Sequence, residues 1–150
     1  MRWPRRASDQ RAALSRVTAA LVAVTLFVGC GIAKDPLAVA IGDAASAGSS
    51  SALALEQHAD GRLTTAAAQT MIDDARRELA GSAQRLSDLS TSGRQSSVQA
   101  EAVTVLARTV QHVHEARRSL GSADAEQAAE RLRQDAGALE KLEERAERAG

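Results

Sequence analysis

Residues 125–146, "AEQAAERLRQDAGALEKLEERA", decide the fold. Ala125, Ala128, Ala129, Leu132, Ala136, Leu139, Leu142 and Ala146 recur at intervals of three and four, the spacing of one helix face. The positions between them are mostly Glu, Arg, Gln and Lys. A strand would need alternation with period two and β-branched residues, and the segment has neither. It predicts an amphipathic helix with one face turned to a core. Ser122 stands before it as a cap, and Asp124 and Glu126 suit the positive first turn.

The same pattern repeats upstream. Val98, Ala102, Val103, Leu106, Val110, Val113 and Leu120 predict a helix closed by Gly121. Ile72, Ala75, Leu79, Ser82, Leu86 and Leu89 predict another over residues 63–89, bounded by Asp60-Gly61 and by "STSGR". A weaker stripe of Leu37, Ile41, Ala44, Gly48, Ala52, Leu55 and Ala59 follows Asp35-Pro36, a good helix start. "GDAASAGSSSA" in its middle equally suits a flexible tether, so residues 36–59 read as helix or tether. Short loops make neighbouring helices antiparallel. The expected fold is all-α: an antiparallel up-and-down bundle of three or four helices over residues 36–150. "DARRELAGSAQRL" (74–86) also echoes "EARRSLGSA" (115–123), which reads as similarity of composition or as an old helix duplication.

Charge divides the chain. Up to Gly29 there are five arginines and one acid, a net of +4; from Cys30 onward the net is −4. A basic start, the apolar run Val17–Val28 and the small Gly29 give the three-part order of a signal peptide over residues 1–29. Phe27-Val28-Gly29-Cys30 then resembles the lipobox of bacterial prolipoproteins, with Phe27 where that family usually has Leu. The resemblance covers about the first fifth of the chain. It implies that the Cys30 thiol, the only one present, carries a lipid and becomes the N-terminus, with residues 30–35 as a short tether. It also implies a domain held at the cell membrane on the extracytoplasmic side. The competing reading is an uncleaved helix, since Val17–Ala33 is an uncharged run of 17 residues, at the lower edge of a span.

The remaining composition excludes much. Trp3 and Phe27 are the only aromatics, so the chain after Cys30 cannot stack bases, sugars or flavins. An acidic domain without basic clusters argues against nucleic acid. One cysteine forms no intramolecular disulfide, so the domain must hold by packing alone, with a thin margin that association would widen.

Candidate chemistry is sparse. His112 and His114 in "QHVHE" are the likeliest functional residues, with His58 elsewhere. Two positions apart on a helix they point in different directions, so they cannot share a metal. His114, beside Val110 and Val113, is expected to be partly buried. No Glu-x-x-His, HExxH, phosphate loop or nucleophile elbow occurs. Arg76-Arg77 and Arg117-Arg118 read as solvated faces paired with acids, as Asp73 with Arg77 would be. No catalytic residue, metal or cofactor is expected. Two function classes remain: a lipid-anchored module binding a protein partner or another copy, and a sensor or carrier of a small apolar ligand within the bundle.

Overall fold

The computed structural model describes residues 35–150, which form four helices and, among them, no strand. They are α1 (Pro36–Ala59), α2 (Thr65–Asp88), α3 (Arg94–Ser119) and α4 (Ala125–Glu147). Cys30 and the segment 1–34 lie outside the described residues. Residues 36–59 are helix throughout, so the bundle has four members.

The local chemistry of each terminus sets these bounds. The Asp35 carboxylate accepts from the Leu37 N–H at 2.8 Å, and Pro36 at the first helical position has no donor to lose. Thr64 caps α2 through the Ala67 N–H at 3.2 Å, so that helix starts at Thr65 rather than at residue 63. Gly61 and Gly121 turn the chain after α1 and α3 at φ of 70° and 77°. Ser122 accepts from the Asp124 N–H rather than from α4 itself, which begins at Ala125 without a side-chain cap. Gln99 of α3 donates to the Leu86 and Leu89 carbonyls, satisfying acceptors that the end of α2 leaves open.

The helix least legible as a stripe is the central one. α1 packs on α2, α3 and α4, whereas α2 and α4 do not touch. Its buried residues include Ala38, Ala40, Ala44, Ala45, Ala47 and Gly48, spread over most of its circumference. A helix buried on most sides shows little amphipathicity. Small side chains let its neighbours approach, and Leu37, Ile41, Leu55, Ile72, Leu79, Leu86, Leu132 and Leu139 fill the layers between. Buried hydroxyls need no distant partner: Ser51 and Thr109 donate to the carbonyls four residues back, at 3.2 and 2.9 Å.

Two apolar expectations change. Val103 is 45% exposed, and Val105 takes the inward place instead. Val105 falls in register with Val98, Ala102 and Thr109 on the buried face of α3, whereas Val103 lies past its edge, beside the half-buried Val110. The two echoing segments also differ in structure. Gly81 lies inside α2, while Gly121 is a left-handed turn residue, so the echo does not extend to the same local structure.

A space-filling prediction follows. A Cβ at Gly137, inside α4, would meet no atom within 4 Å. Gly137→Ala is expected to stabilise by about 0.5–1 kcal/mol by restricting the unfolded chain. Urea denaturation checks it through a raised midpoint at unchanged slope.

Candidate functional site

The most elaborate side-chain constellation joins α3 to α4. Arg108 and His112 stand four apart on α3 and therefore share a face. Opposite them, Asp135 is three residues after Leu132 and four before Leu139, which places it on the buried face of α4. It is 2% exposed. Arg108 Nε donates to Asp135 Oδ1 at 2.7 Å, and His112 Nδ1 to Oδ2 at 2.6 Å. An ionised carboxylate only accepts, so the Nδ1 nitrogen carries the hydrogen.

Both carboxylate oxygens are thus occupied. A buried charge is tolerable only when paired and hydrogen-bonded, and this one is. The geometry makes a clamp that fixes the register of α3 against α4. Among the described residues, no hydroxyl hydrogen-bonds to His112.

The other histidines are apart. His114 is exposed rather than partly buried, because the inward face of α3 passes through Val113 and Ala116. His58 Nδ1 lies 3.1 Å from the Leu63 carbonyl, across the turn after α1. Among the described residues, no group of three or more His, Cys, Asp or Glu is placed to hold a metal ion.

The arginine pairs also sort differently. Arg77 pairs with Asp74, while Asp73 faces Arg117 on α3 at 3.3 Å, so the expected pairing of Asp73 with Arg77 is not made. Arg76 and Arg118 have no acidic partner within 4 Å among the described residues and are exposed. Arg85 reaches both Asp43 at 2.8 Å and Glu78 at 3.0 Å. Arg133 reaches Glu56 on α1 and Glu130 on its own helix. The Gln134 amide, and then Arg133, hold the Glu130 carboxyl below the usual carboxylate range. Its contribution is present above that range and fades as pH falls through the lowered value, and solvent screens it because the group is exposed.

Two surface grooves lie among the described residues. One, of about 600 Å³, runs between α1 and α2 and is lined by Asp43, Ser46, Ser50, Met71, Asp74 and Glu78 among others. The other, of about 490 Å³, lies at the α3–α4 turn between Arg118, Arg131, Glu115 and Asp124. Both open to solvent.

The chain matches no family model, no curated protein and no solved structure. Asp135 was absent from the sequence candidates, although its spacing to Leu132 and Leu139 was a usable signal. The i, i+4 pair Arg108/His112 was the second signal.

Proposed function

We propose that the protein is a lipid-anchored, non-catalytic helical interaction module of the bacterial cell envelope, attached through Cys30 on the extracytoplasmic side. The observation that carries this reading is the placement of the sole thiol. It follows a basic segment and the apolar run Val17–Val28, five residues before the cap of α1. Two acyl chains at ~0.8 kcal/mol per buried methylene suffice to hold a domain at a bilayer without a spanning helix. No helix among the described residues is long and apolar enough to cross a membrane.

Support for an interaction module over a carrier comes from the interior. Alanines and fully buried leucines occupy the space between the helices, and the two grooves described lie on the outside. A carrier of apolar ligands needs an enclosed, mostly apolar chamber. The buried cluster at Asp135 has both oxygens spoken for, which supports a structural role.

Cell fractionation tests the anchor. The wild-type chain is expected in the membrane as a shortened, acylated species. Cys30→Ser is expected to lose acylation and to accumulate unprocessed. Membrane retention of both forms at full length would sink the lipid reading in favour of the uncleaved Val17–Ala33 helix.

A further inference from the structure

Of the large apolar side chains exposed in the described residues, two lie on α1: Val39 at 36% and Leu53 at 46%. Fourteen residues apart, they fall on one face about 21 Å along the axis. Ser46 and Ser50 lie between them and are exposed, with Asp43, four residues after Val39, at the α2 edge of the same face. The face is open because α2 and α4, which flank α1, do not touch.

The margins are charged, and unequally. On the α2 side, Asp43, Asp74 and Glu78 face Arg77 and Arg85. On the α4 side, Glu56 and Glu130 share Arg133. Glu140 and Glu147 continue the Arg133 row at seven-residue spacing, and Glu143 lies over Gly42, where an added Cβ would sit 2.7 Å from its Oε1. Among the described residues, Glu140, Glu143 and Glu147 have no cationic partner within 4 Å. The groups named on the two margins are eight carboxylates and three arginines, a net of −5 that the neighbouring Glu144–Arg148 pair leaves unchanged, whereas the whole chain from Cys30 nets −4. The negative charge of the domain is therefore concentrated along and around this strip.

We infer that the open face of α1 is a docking surface for a basic amphipathic helix of a protein partner. Its apolar side would lie along Val39, Ser46, Ser50 and Leu53, and its Arg or Lys flanks would meet the carboxylates of α2 and α4. The small serines let a helix backbone come close, and Val39 and Leu53 supply apolar contact at each end. Two copies meeting through this face would set like-charged margins against each other, which disfavours a second copy as occupant. An anionic lipid surface is disfavoured for the same reason. The inference rests on the interaction-module reading and names its partner. The anchor test and the docking test fail separately, since one reads Cys30 and the other the face of α1.

The test uses the full chain in detergent micelles and two synthetic helical peptides of ~20 residues with the same Leu/Ala face. One peptide is flanked by Arg and the other by Glu, and fluorescence anisotropy measures binding. The Arg-flanked peptide is expected to bind at least about tenfold more tightly, with affinity falling as salt rises. Leu53→Ser with Val39→Ser, and separately Glu140→Gln with Glu143→Gln and Glu147→Gln, are each expected to weaken it several-fold. Val103→Ser, an exposed apolar site on α3, is expected to leave it unchanged. Circular dichroism confirms that each variant is folded. Equal binding of the two peptides, or an equal loss in Val103→Ser, would overturn the inference. So would self-association that Leu53→Ser abolishes, which would assign the face to a second copy.

Discussion

Replacing Gly48 by leucine is expected to lower stability by about 3 kcal/mol, while Gly48→Ala leaves stability unchanged or raises it by up to about 1 kcal/mol. Gly48 sits at the middle of the central helix. A Cβ there would lie 3.5 Å from both the Ala136 Cβ and the Thr109 Cγ2, and 3.8 Å from the Leu132 carbonyl oxygen. Those are ordinary contacts, so one methyl fits and removes a helix-interior glycine. Three further carbons have nowhere to go, because α3 and α4 both close on this point. They must separate α1 from its neighbours or force off-rotamer side chains. A domain whose whole margin is on the order of 5–15 kcal/mol feels that strongly. Urea denaturation of both variants reads the difference. A leucine variant as stable as the parent would show that the centre of the bundle is loosely packed.

Asp135→Ala is expected to destabilise by about 2–3 kcal/mol. The substitution strands His112, whose side chain is 19% exposed, without the carboxylate that accepts from its Nδ1. Arg108 is 51% exposed and can turn to water, which keeps the loss below that of a fully enclosed pair. Because the three groups act as one network, the losses from Asp135→Ala and His112→Ala should be non-additive. A double-mutant cycle followed by urea unfolding measures the coupling. If the double variant loses the sum of the two single losses, the cluster is not a clamp between α3 and α4.

Sequence alone determined the all-helical class, because the three- and four-residue spacing in α2, α3 and α4 is a property of the chain itself. It also placed the breaks, through Asp35-Pro36, Asp60-Gly61 and Gly121, since capping and left-handed turns depend on residues within a few positions. Only the tertiary structure made 36–59 the central helix. A stripe marks a helix with one buried side, and α1 is buried on most sides by small residues that resemble those of a tether. Val103 was misplaced because its three- and seven-residue spacing to Leu106 and Val110 puts it at the edge of the stripe, whereas Val105, seven after Val98 and four before Thr109, lies within the buried face. The same limit applied to the polar groups. Local spacing predicted Asp73 with Arg77, yet Asp73 meets Arg117 across the α2–α3 interface. His112 drew notice as a histidine, but its carboxylate lies 23 positions further along the chain, and only the packing of α4 on α3 brings Asp135 to it.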